Sequence, residues 1–146
     1  MRQSIPPITK NLLIINGLFF LATFVFSTKG IDLSMILGAF YPESPNFKFW
    51  QILTHMFMHA DFSHILFNMF ALWMFGSVVE QTFGPKKFLT LYLLAGLGGF
   101  ILFNVVNYFQ IEHLKDILNS QSFPISKILQ YSVRGLDGSY FSNGLI

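Results

Sequence analysis

The sequence contains no cysteine, and this absence excludes disulfide bonds, thiol nucleophiles and thiolate metal sites. Charge is scarce as well. Only 11% of the residues are charged, whereas a soluble domain usually carries about 25%. Phenylalanine occurs 19 times and the mean hydropathy is +0.54. A chain with so little charge and so many apolar side chains is typical of a membrane protein.

The charged residues that are present leave long uncharged tracts between them. These tracts lie between residues 10 and 29, 61 and 80, and 87 and 112. Each is about 18 residues or longer, which is enough for a helix to cross a bilayer at a rise of about 1.5 Å per residue. We therefore predict an all-α membrane protein with helices at about 10–27, 62–80 and 86–109.

The first apolar tract could also belong to a cleaved signal peptide, because a short basic start precedes it. No small-x-small cleavage site follows, however, and the chain continues with Ser27-Thr28-Lys29-Gly30. Two later tracts of the same kind favour an uncleaved first helix.

Basic residues indicate which way the helices point. Arg2 and Lys10 flank the first helix, and Lys86-Lys87 follow Gly84-Pro85 in the turn between the other two. The positive-inside rule places both regions in the cytoplasm, so the N-terminus is predicted to be cytoplasmic. Glycine closing one helix and proline opening the next mark this turn.

The segment 28–61 would then lie on the outer side, although it is too apolar for a solvated loop. We predict a long interfacial loop with short amphipathic helices, anchored by Tyr41 and Trp50. Residues 110–146 form a mixed polar tail without a fourth span. Small residues in the third helix would allow close helix packing in lipid; they are Ala95, Gly96, Gly98 and Gly99.

His64 and Asn68 are the most informative polar residues, because they are four apart at the start of the second helix and share a face. Polar side chains within a span are costly unless they meet partners or a water-filled cavity. Their N–H groups suit an oxyanion, the negative oxygen formed when a carbonyl is attacked. From spacing alone, we favour a purely structural role in which both side chains hydrogen-bond neighbouring helices.

Other polar residues near this pair allow further interpretations. His55, His59 and His64 have a spacing that suits zinc, but no glutamate follows His55 as in zinc proteases, and Asp61 is the only nearby carboxylate. We therefore expect no metal. Glu80, at the far end of the second helix, is expected to be a capping or packing carboxylate.

The stretch WQILTHMFMHADFSHILFNMFALWMFGSVVEQTFGPKKFLTLYLLAG resembles the rhomboid family of intramembrane serine proteases, over the N-terminal three-helix half of their six-helix bundle. The resemblance covers roughly residues 10–109 and departs from the family at Gln51, where many relatives have arginine. The positions that carry it are Trp50, Thr54, His55, His59, His64, Asn68, Glu80 and Gly84.

This resemblance implies roles for these residues. His64 and Asn68 would hold the oxyanion of the tetrahedral intermediate, while His59 would tie down the outer loop and Glu80 would brace helix ends. Trp50, His55 and Gly84 would be structural residues near the site. The implied partners are the lipid bilayer and transmembrane substrates or clients, with no nucleic acid and no cofactor.

The catalytic pair of the family is missing from the sequence. Rhomboids use a serine in Gly-x-Ser-Gly at the start of helix four and a histidine in helix six. The best serine candidate, Ser139, is followed by Tyr140 where glycine is expected, and His113 is the only histidine outside the cluster. A serine without a base within hydrogen-bond reach is a weak nucleophile.

Two interpretations follow for residues 1–146, which we treat as a single rhomboid-like domain. In the first, which we favour from the end at Gly144-Leu145-Ile146, the chain is a rhomboid protease truncated before helix four. Alternatively, it is a complete inactive protein that binds membrane clients. A metal-ion carrier that uses the histidines is a distant third possibility.

Overall fold

The computed structural model describes residues 4–120, and these form helices and turns without a strand. The helices are α1 (Pro7–Ser27), α2 (Leu33–Leu37), α3 (Gln51–Thr54), α4 (Phe62–Ala71), α5 (Ser77–Phe83) and α6 (Pro85–Ser120). A 3₁₀ turn, His55–Phe57, extends α3, and a π-helical turn, Leu72–Gly76, joins α4 to α5.

Three helical segments of the described chain are long and apolar enough to cross a membrane. They are Pro7–Ser27, Phe62–Phe83 and Pro85–His113. The second is built from α4, the π-helical turn and α5 in one continuous run. The prediction of an all-helical membrane protein with three spans is therefore confirmed.

The turn between the second and third spans is as tight as the sequence predicts. Gly84 has φ +85°, a left-handed conformation that glycine adopts without strain, and its N–H donates to the Glu80 carbonyl at 2.8 Å. Pro85 is the first residue of α6, where its missing N–H is not needed. One residue thus ends the second span and the next begins the third.

The third helix runs further than predicted, because α6 continues past residue 109 to Ser120. The candidate span ends at His113, but the helix continues to Ser120. The sequence from 110 to 120 has no proline or glycine and is rich in good helix formers. Loss of hydropathy therefore marks the end of the span and not the end of the helix.

The loop between the first two spans is partly helical, and it supplies part of the small core. Phe40 is 1% exposed and Tyr41 is 9% exposed, whereas most apolar side chains of the spans are open on the surface of this chain. Asp32 caps the start of α2 by accepting from the Ser34 N–H at 2.9 Å.

Close packing on the glycine-rich part of α6 involves the loop and not another span. A Cβ on Gly96 would lie 2.7 Å from Met56 Cγ and closer still to the sulfur and terminal methyl of that side chain. Gly98 and Gly99 have nothing within 4 Å of the same position. Of the small residues singled out in the sequence, Gly96 is therefore the one that allows a close approach.

Candidate active site and the residues that hold it

Backbone carbonyls of α2 accept hydrogen bonds from two side chains at the two ends of α3, one from the residue that precedes it and one from its last residue. Trp50 Nε1 donates to the Ile36 carbonyl at 2.9 Å, and Thr54 Oγ1 donates to the Leu37 carbonyl at 2.7 Å. A helix of five residues leaves its last carbonyls without partners inside the helix. The indole and the hydroxyl supply those partners, which fixes the two short helices of the loop against each other.

Gln51 lies at the centre of this loop and is fully buried, at 0% exposed. Its Nε2 donates to the Ile36 and Asn46 carbonyls, each at 3.2 Å, while its Oε1 accepts from the Lys48 N–H at 2.9 Å. At the position where the sequence departs from the rhomboid pattern, the carboxamide thus both donates to and accepts from the loop backbone.

His55 continues the same turn toward α6. Its Nδ1 lies 2.8 Å from the Gln51 carbonyl, and its ring centroid lies 5.4 Å from that of Phe100. With Met56 against Gly96, these contacts seat the end of the loop on α6. The segment that leads to His59 is therefore held on both sides.

His59 and His64 form a pair of rings whose centroids are 5.0 Å apart in a T-shaped arrangement. His59 is 8% exposed, and its Nδ1 lies 3.3 Å from the Phe57 carbonyl. Burial lowers the pKa of His59, and the neighbouring His64 lowers it further. The buried ring is therefore neutral at pH 7. It contacts the His64 ring without bringing a formal charge next to it.

His64 and Asn68 lie in the first turns of α4, which begins at Phe62. Asp61 caps this helix by accepting from the His64 N–H at 2.8 Å, and this hydrogen bond lowers the pKa of Asp61. The cap fixes where the helix starts and hence which way His64 projects. Asn68 follows one turn later, as the spacing of four requires.

The side chains of His64 and Asn68 are exposed in this chain. Neither the imidazole of His64 nor the carboxamide of Asn68 makes a hydrogen bond to any residue within 4–120. Both side chains therefore keep N–H donors available for a group that approaches the start of α4. This placement on one exposed face is compatible with oxyanion binding, but no bound group tests that role, so it stays a prediction.

A polar pocket lies behind Asn68, among the three spans. Its volume is about 210 Å³. Polar side chains from every span and from the loop reach it, namely Asn16, His59, Asn68 and Tyr92, and the remaining lining residues are Met56, Met69 and Leu72. His64 is not among these residues, so the two predicted oxyanion donors differ in their surroundings.

Glu80 is buried, at 3% exposed, at the far end of the second span. Its carboxylate accepts from the Ile8 N–H at 2.9 Å and from the N–H and hydroxyl of Thr9 at 2.7 and 2.8 Å. The first N–H groups of a helix have no partner within it and carry partial positive charge. Glu80 thus caps α1 from another helix and joins the ends of the two spans.

Within the described part of the chain, no group of three His, Asp or Glu side chains is arranged to hold a metal ion. The candidate serine, Ser139, lies outside the described residues. His113 is exposed on α6.

Comparison with known proteins bears on the segment that carries these residues. Residues 46–111 match the model of the rhomboid domain family. Over this segment the chain is similar to the rhomboid domain, which supports a rhomboid-family protein. The matched segment begins in the loop before Trp50 and ends near the end of the third span, so it contains His64, Asn68 and Glu80.

Two curated relatives are similar over stretches of 54 and 69 residues. The rhomboid protease GluP of Bacillus subtilis (strain 168) is 41% identical over 54 residues, which cover 37% of this chain and 11% of that protein. Rhomboid-like protease 3 of Toxoplasma gondii is 36% identical over 69 residues, or 47% of this chain and 26% of that protein. The chain therefore matches only a minor part of the length of either relative.

Sequence reasoning missed Thr9, Asn16 and Tyr92, which contact the residues of the candidate site or line the pocket behind it. Thr9 binds Glu80, and Asn16 and Tyr92 line the pocket behind Asn68. A polar residue in the middle of the first span was a usable signal for Asn16, because such residues need partners. Nothing in the sequence alone indicates that Thr9 and Glu80 meet.

Proposed function

We propose that this chain carries the oxyanion-binding half of a rhomboid-type intramembrane serine endopeptidase, which cleaves single-span membrane proteins within or near the bilayer. The observation that supports the proposal most directly is the pair of free donors, His64 and Asn68, one turn apart at the capped start of α4. The rhomboid match over residues 46–111 supports it independently.

The chemistry follows from what develops when a peptide carbonyl is attacked. The carbonyl oxygen becomes negative, and N–H groups already aimed at its final position stabilise that charge without reorganising. A neutral imidazole and a carboxamide can do this in an apolar environment without a buried formal charge. The buried neighbour His59 limits the freedom of the His64 ring, since the two ring centroids are 5.0 Å apart.

The attacking group is not among these residues. The sequence contains no Gly-x-Ser-Gly motif, and Ser139 has no base assigned to it. We therefore propose that the 146-residue chain does not cleave peptide bonds when tested by itself. Oxyanion donors without a nucleophile leave an acceleration of roughly 10³ to 10⁴ over water, which is far too little to detect against the slow uncatalysed hydrolysis.

A cleavage assay in liposomes with a model single-span substrate tests this proposal. The chain alone and its Ser139→Ala variant should both give no product. Turnover by the chain alone that disappears in Ser139→Ala would overturn the proposal and make Ser139 the nucleophile. Retention of the intact substrate on the immobilised chain, without cleavage, would instead support the alternative in which the protein binds membrane clients.

A further inference from the structure

The pocket behind Asn68 contains a buried acceptor that no residue within 4–120 satisfies. Asn16 is 1% exposed, and its Nδ2 donates to the Leu12 carbonyl at 2.8 Å. Its Oδ1 has no hydrogen-bond partner. If Oδ1 and Nδ2 were exchanged, two acceptor oxygens would face each other at the Leu12 carbonyl. The hydrogen bond to Leu12 therefore fixes the orientation of the Asn16 carboxamide.

The neighbouring polar groups of the pocket do not fill this gap. The Tyr92 hydroxyl lies 3.5 Å from Asn16 Nδ2, where it accepts a long hydrogen bond and keeps its own proton to donate. The carboxamide of Asn68 lines the same pocket and makes no hydrogen bond to a described residue. Asn16, Tyr92 and Asn68 thus line one space, and neither the Oδ1 of Asn16 nor the carboxamide of Asn68 has a hydrogen-bond partner among residues 4–120.

The size of the pocket decides what can join these groups. Its volume of about 210 Å³ exceeds that of several water molecules, each of which takes about 30 Å³ in the liquid. A stable buried water needs two to four polar partners, and four polar side chains line this pocket. Because Asn68 is exposed, the pocket opens beside it and water can enter from that side.

We propose that the pocket holds a cluster of ordered water molecules that links Asn16 to Asn68. One water donates to Asn16 Oδ1 and accepts from the Tyr92 hydroxyl, and its neighbours extend the chain of hydrogen bonds to the Asn68 carboxamide. Asn16 is then a positioning residue, which acts on Asn68 through water. The water site goes beyond the proposed function, since it stands whether or not Asn68 meets an oxyanion.

Solution NMR of the full chain, with ¹⁵N-labelled asparagine in lipid nanodiscs, tests the water site directly. Magnetisation transferred from water should reach the side-chain amide of Asn16 although that residue is buried. Leu72→Phe should abolish the transfer, because Leu72 lines the pocket and the larger ring fills it. Leu66→Phe makes the same replacement on the same helix at an exposed position outside the pocket, and it should preserve the transfer.

A further variant tests the link to Asn68. Asn16→Leu keeps the branching of the side chain but removes both of its polar atoms, and it should shift the side-chain amide signals of Asn68. Asn107→Leu is the matched control, because Asn107 makes the same kind of bond to its own helix, with Nδ2 at 2.8 Å from the Phe103 carbonyl. It should leave the Asn68 signals in place.

Several results would overturn the proposal. Absence of transfer at Asn16 in the unaltered chain would mean a dry pocket, and transfer from lipid methylenes would mean an acyl chain in its place. Equal transfer in Leu72→Phe would place the water elsewhere, and unmoved Asn68 signals in Asn16→Leu would remove the link. The first measurement needs no variant, so a folding defect in Leu72→Phe leaves it intact.

Discussion

Glu80 and Thr9 are 71 residues apart in the sequence and are joined by two hydrogen bonds, at 2.7 and 2.8 Å. A third hydrogen bond, from the Ile8 N–H at 2.9 Å, completes the set on the Glu80 carboxylate. The end of the second span thereby caps the beginning of the first. Since α4, the π-helical turn and α5 form one continuous helix, this cap also fixes the height of His64 and Asn68 relative to α1.

Replacing Glu80 should destabilise the bundle. Glu80→Gln keeps the shape of the side chain but loses the charge and one acceptor, so we expect the free energy of unfolding to fall by about 1.5–3 kcal/mol, the range for hydrogen bonds to charged groups. Unfolding by SDS titration in mixed micelles measures the change. Gln81→Ala, at the adjacent exposed position, should stay within about 0.5 kcal/mol of the unaltered chain. Equal stability of the two variants would contradict the capping role.

Gly96 and Gly98 should respond in opposite ways to alanine. Alanine favours a helix over glycine by about 1 kcal/mol, so Gly98→Ala, which has open space, should be neutral or stabilising. Gly96→Ala must displace Met56, and overpacking of this kind costs about 1–3 kcal/mol. Shortening the neighbour in the double variant Gly96→Ala/Met56→Ala should remove most of the conflict in a double-mutant cycle of unfolding free energies. Additive effects of the two changes would contradict the contact.

Stability should also depend on pH through His59, whose pKa is lowered by burial and by His64. The unfolded chain, with an ordinary histidine pKa of about 6.5, then binds the proton more readily than the folded chain. The contribution of His59 is fully present above that value and is lost as the pH falls through the folded pKa. We expect the free energy of unfolding to drop as the pH falls below about 6.5.

His59→Gln should flatten this drop, whereas His113→Gln, at an exposed position of α6, should preserve it. The pKa of Asp61 is also lowered, first by the hydrogen bond from the His64 N–H. Its contribution is lost only at a lower pH, below the ordinary aspartate value of about 3.9. An unchanged drop in His59→Gln would show that another group carries the pH dependence.

The orientation predicted from the basic residues can be measured because the chain has no cysteine of its own. Single variants Glu43→Cys and Lys115→Cys should react with an impermeant thiol reagent from the outer face, and Lys86→Cys should react only after the membrane is opened. Glu43 and Lys86 are both exposed, so burial does not limit their labelling. Reaction of Lys86→Cys from the outer face would reverse the orientation.

The spans and the turn at Gly84 could be predicted because they depend on local properties, namely hydropathy over a window and the backbone freedom of glycine. The end of α6 could not be predicted from hydropathy, since helix propensity continues after the apolar run stops. The sequence predicted that small residues such as Gly96 allow a close approach, but it did not predict which residue approaches. A small residue indicates that something comes close, without indicating that the neighbour is Met56 from the loop.

The candidate site likewise contains some relations that the sequence predicts and others that it does not. His64 and Asn68 share a face because of their spacing alone, so their relation follows from the sequence once α4 is predicted. The contacts of Glu80 with Thr9 and of Asn16 with Tyr92 join residues more than 70 positions apart. Such contacts depend on how the spans pack, which no local pattern encodes.

The central claim is that Asn68 and His64 stabilise an oxyanion, and one measurement tests it most directly. The chain is reconstituted in liposomes with the helix-four-to-six half of a rhomboid protease as a second polypeptide, and cleavage of a single-span substrate is followed. We predict that the pair cleaves, and that Asn68→Ala lowers kcat by about 10² to 10³ with little change in KM, the loss known for one oxyanion donor. Asn107→Ala, the matched control on α6, should retain kcat. A pair that stays inert, or an Asn68→Ala pair with unchanged kcat, would contradict the account.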